Sequence, residues 1–308
     1  MSICINEDIP IERINLEVFK NKNIEVYLQR DDLLHKDVSG NKWRKLKYVL
    51  EQYDKSTYNG IVSFGGSYSN HLAATAAACC LLDIPFVAYI RGEEPKDLND
   101  TLQFLISQNA EIKWINRLEF RTLRNENWPN PDPENYKDYY VLPEGGYSNL
   151  GIKSCMEISK NWISDFNYAC CSIGTGTTFS GMVNGLINTG TKSIGFIMLK
   201  DQGYLTNDIK DMTTHDNYIL NRTYHFNGFG KVNDELVEFL NDFYRKTEIP
   251  LDPIYTGKMM YGIVKLANED YFEPNSKVIA IHTGGLQGIK GCNEIRKKKK
   301  KSLIEYKR

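Results

Sequence analysis

Short runs of β-branched and aromatic residues alternate along this chain with longer stretches of helical period. Residues 25–28, 61–64, 86–90, 112–115, 139–142, 168–173, 193–199 and 278–281 read as strands, several of them continuous apolar runs such as Phe86-Val87-Ala88-Tyr89-Ile90. Residues 42–53, 70–82, 97–108, 152–161 and 179–187 read as helices. Strand followed by helix, repeated, predicts an α/β protein built on open, mostly parallel sheets flanked by helices. Residues 125–136 hold three prolines and three acids and read as a surface excursion. Residues 202–230 carry only weak periodicity, and no element is assigned to them.

Charge narrows the partners. Lys plus Arg (38) nearly cancels Asp plus Glu (39), so no nucleic-acid or membrane partner is expected. No apolar run is long enough to span a bilayer, and Glu7 and Asp8 stand where a secretory leader would be apolar, which predicts a cytoplasmic protein. The seven cysteines are odd in number. Cys79-Cys80 and Cys170-Cys171 are neighbours, a poor layout for disulfides, so buried free thiols in a reducing compartment are expected. The basic run at residues 296–301 is expected to be solvated and disordered, the start of a flexible tail over residues 296–308. His35, His71, His215, His225 and His282 are scattered without ligand spacing, so no metal is expected; His282 reads as a packed or supporting residue.

Candidate chemistry collects at glycine-rich corners, because ligands in open α/β sheets bind at the carboxyl ends of strands. Gly174-Thr175-Gly176-Thr177-Thr178 lies between a predicted strand and a predicted helix, where backbone N–H groups and the helix dipole converge on an anion. It matches neither the P-loop nor the dinucleotide pattern; phosphate binding and a ligand-free tight turn both fit. Gly65-Gly66-Ser67-Tyr68-Ser69-Asn70-His71 places more polar groups at a helix start than one cap requires, which fits a carboxylate site. Lys42, in Ser39-Gly40-Asn41-Lys42-Trp43-Arg44-Lys45, reads on its own as a solvated cation at a helix start. A lysine altered by its surroundings can instead react with a carbonyl.

Arg30-Asp31-Asp32-Leu33-Leu34, followed by Ser39-Gly40-Asn41-Lys42 and Arg44-Lys45-Leu46, resembles the D-cysteine desulfhydrase and 1-aminocyclopropane-1-carboxylate (ACC) deaminase family. The likeness recurs in order in Phe64-Gly65-Gly66-Ser67-Tyr68-Ser69-Asn70-His71, Pro143-Glu144-Gly145-Gly146, Gly174 to Thr178, Leu251-Asp252-Pro253-Ile254-Tyr255-Thr256-Gly257-Lys258 and Ile281-His282-Thr283-Gly284-Gly285. The resemblance implies a two-domain pyridoxal-phosphate enzyme of fold type II, tryptophan synthase β-like. The smaller α/β domain would be residues 45–150, and the larger, cofactor-binding one residues 1–44 plus 151–308. It implies a small amino-acid substrate and a homodimer.

Carried over by position, Lys42 would be the Schiff-base lysine and Lys45 would reach the cofactor phosphate, cradled by Gly174, Thr175, Gly176, Thr177 and Thr178. Asn70 would contact the ring hydroxyl, and Ser69 with the amides of Asn70 and His71 would hold the substrate carboxylate. Tyr255 would lie over the reacting centre, with Thr256 and Thr283 beside the ring. The family's ACC deaminases carry Glu and Leu where this chain has Thr256 and Thr283. The threonine pattern implies α,β-elimination of D-cysteine to pyruvate, ammonia and hydrogen sulfide. ACC deamination, elimination from another small amino acid, and a non-catalytic phosphate-ligand protein are the alternatives.

Overall fold

The computed structural model describes residues 3–160, 162 and 165–306. The chain opens with β1 (Ile11–Arg13), α1 (Glu17–Asn21), β2 (Glu25–Gln29) and α2 (Asn41–Glu51). There follow β3 (Gly60–Gly66), α3 (Asn70–Leu81), β4 (Phe86–Arg91), α4 (Asp100–Ser107), β5 (Glu111–Ile115), α5 (Arg117–Asn125) and β6 (Tyr139–Leu142). The remainder is α6 (Asn149–Cys155), β7 (Tyr168–Ile173), α7 (Thr177–Gly185), β8 (Lys192–Ile197), α8 (Tyr204–Met212), β9 (Tyr218–Asn221), α9 (Asp234–Thr247), α10 (Thr256–Asn268), β10 (Lys277–Ile281) and α11 (Gly288–Lys298).

Two sheets result. One has the order β5-β4-β3-β6 and is parallel throughout; the other, β1-β2-β10-β7-β8-β9, is parallel except where β1 meets β2. β3, β4, β7 and β10 are buried almost end to end, as parallel strands covered on both faces must be, which is why they appear in the sequence as unbroken apolar runs. All four strands of the smaller sheet come from residues between 60 and 142, whereas β2 and β10 bring the two ends of the chain together in the larger one.

α3 packs on the smaller sheet through a buried series of alanines, Ala73, Ala74, Ala76, Ala77 and Ala78. Small side chains let its backbone approach closely and leave its amino end beside the strand ends. The opposite face of that sheet is covered in part by the proline-rich segment. Expected as a surface excursion, it runs outside but buries Trp128 and Tyr136 against Phe64, Tyr89 and Phe120.

Several boundaries move for identifiable reasons. α4 starts at Asp100 rather than 97 because Asn99 caps it, its side chain accepting from Leu102 N at 3.0 Å. α7 starts at Thr177, two residues early, because Gly176 turns the chain with φ +88°. The helix expected over 152–161 is α6 followed by a 3₁₀ turn, Met156–Ser159; its expected end at Asn161 lies outside the described residues. The unassigned stretch 202–230 holds α8 and the edge strand β9.

Two expectations need correction. Lys297 to Lys301 are solvated, but Arg296 is buried and donates to Ser302 O and Val232 O while pairing with Asp234. Ile304 enters the core, and the Tyr306 hydroxyl donates to Leu251 O at 2.8 Å, so the terminal segment is anchored instead of loose. Of the cysteines, all free, Cys79, Cys155, Cys170 and Cys171 are buried and Cys292 is partly so, but Cys4 and Cys80 are exposed. No helix among the described residues is long and apolar enough to cross a membrane.

Candidate active site

The segments leaving β3, β6, β7 and β10 at their carboxyl ends meet in one cleft between the sheets. Their spacing is tight enough to demand glycine. A Cβ on Gly145 would stand 2.7 Å from Thr175 Cγ2, and one on Gly285 would stand 2.9 Å from Asn70 Nδ2.

Lys42 enters this cleft as the second residue of α2. Gly40 precedes the helix at φ +61°, and a side chain there would collide with Thr283 O at 2.1 Å, so only glycine lets the helix start dock on the β10 loop. An acid–base clamp fixes that start. Arg44 donates from Nε and Nη2 to both oxygens of buried Asp31 at 3.0 Å, Gly40 N donates to Asp31 O at 3.0 Å, and Ser39 Oγ donates to Asp32 O at 2.9 Å. Arg30 in turn holds Asp32 through two hydrogen bonds of 2.8 Å. Buried His282 supports the same corner: its Nδ1 accepts from Gly284 N at 3.2 Å, which makes Nε2 the donor to Pro250 O at 2.7 Å.

Lys42 Nζ donates to Asn41 Oδ1 at 3.1 Å, and the same Asn41 donates through Nδ2 to Thr178 Oγ1 at 3.1 Å. Lys45, one turn on and buried, donates to Gly145 O at 2.8 Å and Thr175 Oγ1 at 3.2 Å. Among the described residues neither ammonium forms an ion pair. Burial, then the neighbouring Lys45 charge, push Lys42 down to about 7 against the opposing pull of Asp252; burial pushes Lys45 down to about 8. Beside them α7 begins, and its first-turn N–H groups, which have no intrahelical acceptor, are taken by no capping side chain either. Two lysines without an ion-pair partner among the described residues and an uncapped helix amino end, with the hydroxyls of Thr175 and Thr177 3.3 Å apart, form a cradle suited to an anion.

The second corner is built differently from its polar content. Ser69 caps α3, accepting from Leu72 N at 3.2 Å, which leaves the N–H groups of Asn70 and His71 without intrahelical acceptors. The His71 ring does not face the cleft as a free ligand. It is buried on Ser63 Oγ at 2.8 Å, and because Ser63 gives its own proton to Leu142 O, the imidazole is the donor there. Burial and the two lysines hold it well below its ordinary pKa, hence neutral.

The third wall is the start of α10. The Tyr255 ring lies on Gly174, where an added Cβ would sit 3.1 Å from its Cε1 and hydroxyl, and burial, then Asp252 and Glu144, push the phenol above its ordinary pKa. Thr256 Oγ1 stands 3.4 Å from Thr283 Oγ1, which is 3.5 Å from Ser172 Oγ, a buried row of hydroxyls. The residue sequence reading missed is Asp252. Fully buried, it accepts from Ile254 N (2.9 Å), Tyr255 N (2.8 Å) and Thr256 N (2.7 Å), and a Cβ on Gly285 would come within 3.4 Å of its Cγ. The Asp31–Arg44 clamp and Asn41 were likewise visible only as letters of a motif. Among the described residues no group of three or more His, Cys, Asp or Glu converges on a metal site.

The pyridoxal-phosphate dependent enzyme family matches residues 8–284. A putative ACC deaminase of Pyrococcus horikoshii is 27% identical over 280 residues, spanning 86% of this chain and 85% of that protein. The bifunctional, mitochondrial D-cysteine desulfhydrase/ACC deaminase of Arabidopsis thaliana is 26% identical, spanning 91% of this chain and 77% of that protein. A crystal structure of an ACC deaminase homologue superposes with a TM-score of 0.81 at 25% identity, covering 93% of this chain and 92% of that one. This is the two-sheet architecture of fold type II. With a lysine of depressed pKa next to an anion cradle at the junction of its sheets, the chain belongs to the pyridoxal-phosphate dependent enzymes.

Proposed function

We propose that this enzyme is a D-cysteine desulfhydrase, splitting D-cysteine with water into pyruvate, ammonia and hydrogen sulfide. The observation that carries this reading is the hydroxyl row Ser172, Thr283 and Thr256, which contains no carboxylate. Pyridoxal phosphate, when bound, supplies an electron sink for a carbanion at the substrate Cα. A hydroxyl partner cannot keep a ring nitrogen protonated as a carboxylate does, so the sink is moderate. Sulfide is a good enough leaving group to depart under a moderate sink, whereas opening a cyclopropane demands more.

The residues divide the work as follows. Lys45 and the N–H groups opening α7, with the hydroxyls of Thr175, Thr177 and Thr178, hold the phosphate; Gly174 and Gly176 leave room for it. Asn70 orients the ring through its side chain, and the N–H groups of Asn70 and His71, backed by Ser69, hold the substrate carboxylate. Lys42 Nζ takes the proton from Cα as an amine base, and sulfide leaves from Cβ with the electron pair of the broken C–S bond. The released enamine hydrolyses to pyruvate and ammonia. Tyr255, kept as the neutral phenol, orients the substrate above Gly174. We assign residues 45–150 to a smaller lobe and residues 1–44 with 151–308 to a larger one, and take the working form as a cytoplasmic homodimer on the family resemblance.

ACC deamination, the activity in the names of the Pyrococcus and Arabidopsis relatives, is the second reading. The two separate in a parallel assay of D-cysteine, L-cysteine, D-serine and ACC. The expected outcome is pyruvate and sulfide from D-cysteine at a kcat/KM at least about tenfold above the others. Formation of 2-oxobutyrate from ACC alone would overturn the threonine argument.

Lys45→Met gives a second check. Removing a charge-assisted bond to phosphate is expected to weaken pyridoxal phosphate binding by about 10- to 100-fold in equilibrium dialysis. An affinity within about twofold of the parent would place the phosphate elsewhere.

A further inference from the structure

One buried cation remains unused by this reading. Lys258 lies on α10, three residues beyond Tyr255, with no exposed surface. Its Nζ donates to His225 O and Gly228 O, both at 3.0 Å, and among the described residues it forms no ion pair. Those two carbonyls belong to a turn that needs holding. Gly228 N returns to His225 O at 3.0 Å, and the residues between them have positive φ, Phe226 at +53° and Asn227 at +65°. Neither is glycine, and a bulky residue in the left-handed region persists only where its surroundings impose it.

The turn delivers one side chain to the cleft. Phe229 is 55% exposed, yet its ring stands 5.9 Å from that of Tyr255, which itself lies on Gly174. From the other side Phe226 packs its ring 4.9 Å from Tyr261 of α10. The same helix therefore carries Tyr255 at its start, the lysine that grips the turn, and the ring on which the turn rests.

We infer that Lys258 is a positioning residue of the active site, clamping the turn at residues 225–228 so that Phe229 stays against Tyr255 at the mouth of the cleft. Burial presses its pKa down to about 8, with Asp252 as the opposing charge, consistent with an ammonium satisfied by carbonyl dipoles alone. The role in catalysis rests on the cleft being an amino-acid site; the clamp itself does not.

Two measurements test it. In cofactor-free protein, hydrogen exchange of residues 226–231 is expected to quicken at least about tenfold in Lys258→Met, with the middle of α10 unchanged. Lys258→Gln, which keeps N–H donors, is expected to recover part of the protection; it is also the variant to use should the methionine protein fail to accumulate. In loaded enzyme, Lys258→Met and Phe229→Ala are each expected to raise the KM for D-cysteine about tenfold with kcat within about threefold, and the double variant to be no worse than either single. Unchanged exchange, or multiplying effects in the double variant, would overturn the clamp. If D-cysteine is the wrong substrate, only the kinetic arm falls silent, and the exchange result still decides.

Discussion

Replacing Lys42 by Ala is expected to lower pyruvate formation from D-cysteine by at least about 10³-fold, the scale on which enzymes lose a positioned general base. The loss should fall on kcat, because the corners proposed to hold the carboxylate and the phosphate are built from other residues. A small added amine is expected to restore part of the rate by occupying the space the side chain leaves. Lys42→Arg should be as inactive as Lys42→Ala, since a guanidinium keeps the charge but cannot act as the base. Pyruvate release at the parent rate by Lys42→Ala, without added amine, would remove Lys42 from the mechanism.

The electrostatics of the cleft make that expectation specific to position 42. At pH 7 an ordinary lysine of pKa about 10.5 is free amine in roughly one part in three thousand. Held at about 7, Lys42 is free in about half of the molecules. Its depressed pKa also fixes the sign of a stability effect. Between about 7 and 10.5 the unfolded chain binds the extra proton, so cofactor-free protein gains stability as pH rises through that window. Below about 7 the full penalty of enclosing the charge is present. Lys45, held at about 8, acts in the same sense over a narrower range. The Tm of cofactor-free protein should therefore climb between about pH 7 and 9, and Lys42→Ala should be no less stable than the parent and show a flatter slope. A base kept in place against stability is what a functional lysine looks like.

How much of this could be read from the chain depended on where each interaction closes. β3, β4, β7 and β10 were found to within a residue or two because strands buried on both faces leave unbroken apolar runs. The glycine corners were legible because close approach requires glycine whatever the rest of the fold does. α9 went unread although its signal was present: Asn233 caps it, and Leu236, Val237, Leu240 and Phe243 repeat at helical spacing. α10 offers less, since most of its residues are buried and its outer stripe, Tyr261, Val264, Lys265 and Asn268, is narrow. β1 has three residues, and β9 is half-buried along its length, so neither carries a clean alternation. The sequence offers His71 only through its backbone N–H at a helix start, and the third dimension is needed to show its ring turned onto Ser63. The Asp31–Arg44 clamp joins residues whose separation in sequence matches no local rule.

Asp252→Ala is expected to cost about 3–5 kcal/mol in urea unfolding, because three N–H groups at a buried helix start lose their acceptor together. The carboxylate takes all three with distances of 2.7–2.9 Å, and Ala offers nothing in return. Asp252→Asn is the more informative change. Its amide keeps one acceptor oxygen but turns an NH₂ towards Thr256 N or Tyr255 N, so about 2 kcal/mol should be lost while the protein still folds. Tyr255 and Thr256 would shift with the backbone that Asp252 fixes, and turnover should drop with them. The charge provides the discriminating measurement. Asp252 pulls the Lys42 pKa upward, so neutralising it should move the Lys42 titration below about 7, followed by NMR in cofactor-free protein carrying ¹³C-labelled lysine. A lowered midpoint together with lost turnover would make Asp252 both the cap that sets Tyr255 and the counter-charge that keeps Lys42 from becoming too weak a base. A midpoint that stays at about 7 while stability falls would leave it as a cap alone.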